Sequence, residues 1–177
     1  IGTNSIRLMI ADYDGHHFEN VTKQLEMTRL GYGVNETKKL DADRMLLSAN
    51  AIKSYYDIAV AAGAQHIFMM ATSAVRDAIN SDAFIRMVYE KTGQKLDVIS
   101  GELEAKVGFQ GVLIGSENTN KNANLLIIDI GGGSTELIIG NADGIKFSKS
   151  LNMGAVRLTG AFVSHDPVLT EEVEAMR

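Results

Sequence analysis

Cysteine and tryptophan are absent from the 177 residues of the chain, and proline occurs only once. Without cysteine, the chain has no disulfide framework, no thiolate metal ligand and no cysteine nucleophile. The two most apolar runs, Ile67–Ala71 and Leu125–Ile128, are far shorter than the roughly 20 residues of a membrane-spanning helix. Because the first residues also lack the pattern of a signal peptide, we expect a soluble, cytoplasmic protein without a membrane partner.

A surplus of positive charge is also absent, since 22 acidic residues against 17 basic ones give a net charge of −5. Binding to nucleic acid depends mostly on Lys and Arg side chains that neutralise phosphates. The charge balance therefore disfavours nucleic acid as a partner but leaves a small phosphate ligand open. The chain does contain 45% hydrophobic residues and 17 glycines, which indicates a globular protein whose glycines need an explanation.

Strand-type and helix-type segments alternate along the chain, which predicts an α/β fold. We expect two or three antiparallel strands over 5–30, a helix over about 37–62, a buried strand over 65–71, two short helices over 74–92, a strand over 95–99 and a helix over about 101–114. Three strands and two helices follow the polar run 115–122, and they make only a thin core. This run marks the predicted boundary between a first domain, 1–117, and the beginning of a second domain, 118–177.

Both predicted domains contain the same short pattern. Residues 1–10 align without gaps on residues 130–139 and match at Ile, Gly, Ser, Leu and Ile. Asp129 immediately precedes the second copy, whereas the first copy begins one residue too late to show an equivalent acid. The alignment predicts a duplicated hairpin, and we expect the chain to be clipped inside the first copy, after an Asp.

Small residues form the predicted turn of each copy, most clearly at Gly131–Gly133. Such a turn presents backbone N–H groups without Cβ atoms in the way, and these groups can hold phosphate oxygens. A tight hairpin without any ligand is the plainer interpretation of three glycines. The chain contains no G-x-x-x-x-G-K-[ST] and no G-x-G-x-x-G that opens a helix, which excludes a P-loop and a dinucleotide-binding motif.

Two acidic residues flank the second turn. Asp129 lies in the most apolar stretch of the chain, where a carboxylate is costly unless it accepts hydrogen bonds or binds a cation. A carboxylate beside a phosphate-binding turn suits Mg²⁺, while the alternative is an Asp that accepts backbone N–H bonds from the turn. Glu136 either faces the same opening or is an exposed strand residue, and the sequence leaves both interpretations open.

Charged residues at two other places are candidates for the same site. Glu102 and Glu104 open a predicted helix and project about 200° apart, so only one of them can face a given cleft. Alternatively, both carboxylates simply favour the positive helix N-terminus. Arg76 follows a predicted strand, where ligand-binding groups of α/β sheets gather and where a guanidinium suits phosphate, although a surface salt bridge explains it equally well.

Five segments of the chain occur in the order of the motifs of one family, and they are Ile1–Leu8, Ala71–Ala78, Ser100–Ala105, Asp129–Leu137 and Met153–Leu158. In these segments the chain resembles the exopolyphosphatase and guanosine pentaphosphate phosphohydrolase (Ppx/GppA) family. The resemblance spans most of the chain. It implies a duplicated ribonuclease H-like fold, with a mixed sheet and helices, of the actin, sugar kinase and Hsp70 superfamily, whose two domains close over phosphates held by two such hairpins.

The resemblance also implies a reaction, in which the terminal phosphoanhydride of inorganic polyphosphate is hydrolysed to release orthophosphate, or guanosine pentaphosphate is converted to the tetraphosphate, with Mg²⁺ as cofactor. It implies that Glu104 is the general base that activates water and that Glu102 is a bystander. Asp129 and Glu136 are the implied metal residues. The implied phosphate-binding residues are Asn4, Ser5, Arg76, Gly131, Gly132, Gly133 and Ser134.

Two other functions stay open at this point. One is an ATP-dependent kinase of the same superfamily, which is disfavoured because water activation by Glu104 needs no acceptor pocket. The other is a catalytically silent sensor of polyphosphate or nucleotide. Since the first motif lacks its leading Asp and the chain ends at Arg177, before the family's later glycine-rich segment, we expect this chain to be inactive alone. A homodimer is left open.

Overall fold

A computed structural model describes residues 1–115 and 123–177. The chain divides into two compact units, Ile1–Val98 and Ile99–Arg177. Within the described ranges, no helix combines the length and apolar character that crossing a membrane requires. The domain boundary predicted between residues 117 and 118 lies outside the described residues and stays a prediction.

The first unit contains two small sheets and four helices. In chain order these elements are β1 (Ile6–Tyr13), β2 (Phe18–Glu26), α1 (Val34–Thr37), α2 (Ala42–Ala61), β3 (Met69–Ala71), α3 (Ser73–Arg76), α4 (Ser81–Thr92) and β4 (Leu96–Val98). Strands β1 and β2 form an antiparallel hairpin, and β3 pairs in parallel with β4. Helices α3 and α4 connect β3 to the parallel strand β4. The alternating pattern predicts this connection for this part of the chain.

Helix α2 organises the core of the first unit. It begins where the Asp41 carboxylate accepts a hydrogen bond from the Arg44 amide at 3.0 Å, which caps the helix N-terminus. Its buried stripe includes Ala49 and Ile52, which pack in one cluster with residues of β1, β3 and α4 such as Phe84. The first unit therefore has a continuous apolar core that supports both of its sheets.

The predicted buried strand over 65–71 is wrong in its length and in part of its burial. The strand covers only Met69–Ala71, and the side chain of Phe68 immediately before it is 81% exposed. The run is apolar in sequence, but within the strand Met69 and Ala71 face the core while Met70 does not, because successive strand residues point to opposite faces.

The second unit is a three-stranded antiparallel sheet with three helices among its described residues. Its elements are α5 (Gly101–Gly115), β5 (Leu125–Ile130), β6 (Thr135–Asn141), β7 (Gly144–Leu151), α6 (Ala155–Phe162) and α7 (Thr170–Ala175). Strand β6 lies in the centre, between β5 and β7. These elements confirm the strand–turn–strand–strand order and the two following helices that the sequence predicts.

Helix α5 covers one face of this sheet. Its residues Ala105 and Phe109 are buried against Ile138 of β6. A Cβ built on Gly140 would lie 2.6 Å from Cζ of Phe109 and 2.6 Å from the carbonyl oxygen of Gly144, so only glycine fits under the aromatic ring. The small size of this cluster confirms the thin core that the sequence predicts, and the contact explains why α5 belongs to the second unit.

Two glycine substitutions test this packing in opposite directions. Gly140→Ala should lower the free energy of unfolding by about 1–3 kcal/mol, because its methyl group overlaps Phe109 and backbone. Gly111→Ala, in the interior of α5 where an added Cβ meets nothing within 4 Å, should raise it by about 0.5–1 kcal/mol through helix propensity. Urea unfolding measures both values. Equal effects of the two substitutions would contradict the described contact.

A carboxylate closes the loop between α6 and α7. Glu172 accepts hydrogen bonds from the Leu169 amide at 3.0 Å, from the Ser164 amide at 2.7 Å and from Nδ1 of His165 at 2.9 Å. These bonds, led by those from the Leu169 and Ser164 amides, lower the pKa of Glu172 from 4.5 to about 2. His165 is thus a structural residue of this loop.

The lowered pKa of Glu172 predicts a pH dependence of the loop. Because the folded pKa lies below the unfolded value of 4.5, the stabilisation is present above pH 4.5 and is lost as the pH falls towards 2. A carbon-13 NMR titration of the Glu172 carboxyl group should give a midpoint near 2. A midpoint near 4.5 would show that the loop bonds do not favour the carboxylate.

Candidate functional site

The two copies of the repeated pattern have the same turn geometry. In the first unit the Gly2 amide donates to the Ser5 carbonyl at 3.0 Å, and in the second unit the Gly131 amide donates to the Ser134 carbonyl at 2.9 Å. The two bonds join equivalent positions of the alignment. The internal repeat in the sequence is therefore a repeat in structure, and the second copy is the turn between β5 and β6.

Three donors that follow β7 occupy the carbonyl groups of the second turn. The Ala155 amide donates to Gly131 at 2.9 Å, the Arg157 amide donates to Gly132 at 3.0 Å, and Nε of Arg157 donates to Gly133 at 2.7 Å. The first four N–H groups of a helix have no partner within it, and α6 has no side-chain cap. The turn carbonyls therefore cap α6.

The amide groups of both turns are left without protein acceptors. Among the described residues, none accepts a hydrogen bond from the amides of Gly132, Gly133 or Ser134, and the same holds for Thr3, Asn4 and Ser5. In the first turn the carbonyls are again occupied, because Gly31 donates to Thr3 at 2.8 Å and Arg29 donates to Asn4 at 2.9 Å. Each turn thus presents consecutive N–H groups, as an anion-binding nest does.

Close packing, rather than an unusual backbone angle, explains Gly154, the glycine that contacts the second turn. Among the described glycines with positive φ, none belongs to Gly131–Gly133. A Cβ on Gly154 would lie 2.6 Å from the carbonyl carbon of Gly132 and 2.7 Å from the Gly131 oxygen. The segment before α6 therefore lies directly on the turn, and a side chain at Gly154 would displace it.

A row of polar residues crosses the sheet beside this turn. Asp129 of β5 is paired with Glu136 of β6, which is paired with Ser150 of β7. Directly paired residues of antiparallel strands share a face of the sheet. The Ser150 hydroxyl donates to Oε1 of Glu136 at 2.7 Å, and a Cβ on Gly101 would lie 2.8 Å from Cβ of Ser150. The row therefore lies on the face that α5 covers.

The two acids of the row differ in exposure. Glu136 is only 2% exposed, so the interpretation of Glu136 as an exposed strand residue is wrong. Asp129 is exposed, so its carboxylate does not incur the cost that the apolar stretch around it suggests; Ile128 and Ile130 of β5 are exposed as well, and β5 is the edge strand of the sheet formed by the described strands. Within the described part of the chain, no group donates a hydrogen bond to the Asp129 carboxylate, so the turn amides do not satisfy it.

Helix α5 brings Glu104 to the same side of the sheet. Glu104 lies one turn before Gly108, and a Cβ on Gly108 would lie 3.9 Å from Oδ2 of Asp129. Glu104 is half-buried, whereas Glu102 is exposed. Glu104 therefore lies on the face of α5 that packs on the sheet, and Glu102 lies away from it.

The donor set of the row fits a magnesium ion. Mg²⁺ is commonly bound by one or two carboxylates together with waters and substrate phosphates. Asp129 and Glu136 supply two carboxylates at paired positions, and no described residue donates a hydrogen bond to the Asp129 carboxylate. No group of three or more His, Asp or Glu side chains suited to a metal occurs in 1–115 and 123–177.

The predicted site residues of the first unit cluster around its own turn. Asn4 and Ser5 form part of the turn, and the Asn4 amide nitrogen Nδ2 lies 3.9 Å from the sulfur of Met27. The Thr3 hydroxyl lies 2.9 Å from the Ser73 hydroxyl at the start of α3, the helix that carries Arg76. Nε of Arg76 lies 3.9 Å from the Asp77 carboxylate, so the predicted ion pair is present, at the outer limit of such a contact.

Three residues that contact the second turn or the polar row were not predicted as site residues. Gly154 and Arg157 lie in the segment Met153–Leu158, which carries part of the family resemblance without an assigned role. Ser150 has no local sequence pattern that marks it. Its position opposite Glu136 depends on the register of β6 and β7, which only the structure shows.

Known proteins of one family match most of this chain. The sequence profile of the Ppx/GppA phosphatase family matches residues 9–177. A bifunctional 3-dehydroquinate synthase/phosphatase of Fusobacterium nucleatum is 41% identical over 170 residues, which cover 92% of this chain and 25% of that protein. Exopolyphosphatase 2 of Mycobacterium tuberculosis is 34% identical over 185 residues, with 99% of this chain and 57% of that protein covered.

A solved structure shows the same fold. The crystal structure of an exopolyphosphatase from Cytophaga hutchinsonii matches with a TM-score of 0.89 and 28% identity, over 99% of this chain and 55% of that one. This likeness confirms the predicted duplicated ribonuclease H-like α/β fold. The chain spans between a quarter and about three fifths of the length of the curated relatives described above. On the family profile and these relatives together, the chain belongs to the Ppx/GppA phosphatase family.

Proposed function

We propose that the chain contributes the phosphate-binding and water-activating residues of a phosphohydrolase that removes the terminal phosphate of inorganic polyphosphate. The observation that carries the proposal is one feature of the second unit. There, the turn that connects β5, which carries Asp129, to β6, which carries Glu136, contains three amides with no acceptor among the described residues. They are the amides of Gly132, Gly133 and Ser134. Anion-binding amides and carboxylates beside one turn are the groups that hydrolysis of a phosphoanhydride requires.

The turn amides provide the phosphate contacts in this proposal. The N–H groups of Gly132, Gly133 and Ser134 donate to phosphate oxygens in the second unit, and those of Asn4 and Ser5 do so in the first. The Ser134 side chain is buried, so we assign its contribution to the backbone amide. Arg76 adds a positive charge next to the first turn through α3.

Glu104 acts as the general base. A general base has to lie beside the attacking water and accept its proton while the bond to phosphorus forms. The position of Glu104, one helical turn before Gly108, which lies beside the Asp129 carboxylate, supports this role over Glu102, which is exposed. The proton moves from water to the Glu104 carboxylate, and the leaving phosphate takes the electrons of the broken P–O bond.

Asp129 and Glu136 would hold Mg²⁺, and Ser150 fixes one oxygen of Glu136. The ion, when bound, neutralises charge on the phosphate oxygens. Phosphoryl transfer asks little covalent chemistry of the protein, so we expect positioning and charge stabilisation by the turn amides and Arg76 to supply most of the acceleration. Guanosine pentaphosphate, whose terminal phosphoanhydride has the same chemistry, is the alternative substrate.

A matched pair of substitutions on α5 tests the assignment of the base. Phosphate release from long-chain polyphosphate and from guanosine pentaphosphate is measured with Mg²⁺, on this chain and on a version completed to the relatives' length. Glu104→Gln should lower the rate about 100-fold or more, because general acid–base catalysis contributes about 10²–10⁴. Glu102→Gln, the same change two residues away, should leave the rate nearly unchanged.

Two results would overturn parts of the proposal. If Glu104→Gln released phosphate as fast as the parent, Glu104 would not be the base. If the completed parent bound polyphosphate without releasing phosphate, the protein would be a sensor rather than a hydrolase. Phosphate transfer to an added small-molecule acceptor instead of water would indicate a kinase.

A further inference from the structure

Arg157 donates two hydrogen bonds to the second turn, and the proposed function gives it no role. Its backbone N–H donates to the Gly132 carbonyl at 3.0 Å, and its side-chain Nε donates to the Gly133 carbonyl at 2.7 Å. One residue thus occupies two consecutive carbonyls of the turn. Arg157 is half-buried at the first turn of α6, which limits the directions in which its side chain can extend.

These two carbonyls belong to the peptide groups that carry the free amides. The Gly132 carbonyl shares its peptide group with the Gly133 N–H, and the Gly133 carbonyl shares its peptide group with the Ser134 N–H. A donor on the carbonyl oxygen polarises the amide on the other side, because hydrogen bonds in a chain strengthen one another. A charged donor has the larger effect, since hydrogen bonds from charged groups are shorter and stronger.

From this arrangement we propose that Arg157 is a positioning residue that directs and polarises the Ser134 amide towards a phosphate oxygen. The proposal rests on the proposed function, because it concerns the same phosphate-binding turn. The guanidinium acts through the peptide group between Gly133 and Ser134 and needs no contact with the phosphate itself. Its side chain also fixes the distance between the turn and the start of α6.

The two turns differ in the donor that binds the carbonyl before the Ser amide. In the first turn the carbonyl equivalent to Gly133 is that of Asn4, and it accepts from the backbone N–H of Arg29 at 2.9 Å. A neutral backbone amide therefore does in the first unit what a charged side chain does at 2.7 Å in the second. We accordingly assign the stronger phosphate-binding amide to Ser134 rather than to Ser5.

A pair of arginine substitutions separates this role from a general loss of positive charge. Arg157→Ala and Arg177→Ala change the net charge equally, and Arg177 pairs with Glu174 near the end of α7. In ligand-free protein, Arg157→Ala should shift the Ser134 amide proton upfield by nitrogen-15 NMR, while Arg177→Ala should not. Tripolyphosphate should bind about tenfold or more weakly to Arg157→Ala, because a hydrogen bond from a charged donor is lost.

Chemical rescue distinguishes a positioning role from a structural one. Ethylguanidine, which replaces the missing group, should restore tripolyphosphate binding to Arg157→Ala and leave Arg177→Ala unaffected. Unchanged binding in Arg157→Ala, or weakened binding that ethylguanidine does not restore, would overturn the proposal. These readouts involve no turnover, so they can succeed even where phosphate release, and with it the proposed function, fails.

A measurement on the parent protein keeps the test valid if Arg157→Ala does not fold. Hydrogen exchange of the Arg157 Nε–H should slow at least severalfold when tripolyphosphate saturates the protein, because a bound phosphate strengthens the whole chain of hydrogen bonds. An exchange rate that tripolyphosphate leaves unchanged would show that the guanidinium and the turn amides are not coupled.

Discussion

The second unit depends on one constraint, which is that the carbonyl groups of Gly131, Gly132 and Gly133 are all occupied from the side of α6. Buried backbone groups need hydrogen-bond partners, and here the turn and the helix N-terminus satisfy each other. The carbonyls are held on that side, and the N–H groups of the same peptides have no acceptor among the described residues. The close contact of Gly154 with the turn follows from the same arrangement, since a Cβ there would separate the two segments.

The polar row lies beside this turn and crosses all three strands of the sheet. Asp129 and Glu136 flank the turn because β5 and β6 pair in register, and Ser150 reaches Glu136 because β7 pairs with β6 in turn. Helix α5 packs on the same face through Phe109 and Ile138, and that packing determines where Glu104 lies. A small apolar contact therefore positions a carboxylate, while the sheet register positions two others.

Most helices and strands and the repeated turn could be predicted from the sequence, because they depend on residues that are close together in the chain. The period of apolar residues indicates nearly every helix and strand, and the alignment of Ile1 with Ile130 predicts the repeated turn that the Gly2 and Gly131 bonds confirm. The exposure of Asp129 could not be predicted, since it lies among apolar residues in a strand that has a neighbour on one side only among the described strands. Ser150 and Arg157 were missed for a related reason, because their contacts with Glu136 and Gly133 join segments that are distant in sequence.

The central claim is that the backbone amides of the second turn bind phosphate. A crystal structure of the protein grown with tripolyphosphate and Mg²⁺ tests it most directly. The account predicts phosphate oxygens within about 3.2 Å of the amide nitrogens of Gly132, Gly133 and Ser134, the usual limit of an N–H···O bond. Tripolyphosphate bound elsewhere, with these three amides directed at water or at protein carbonyls, would contradict it.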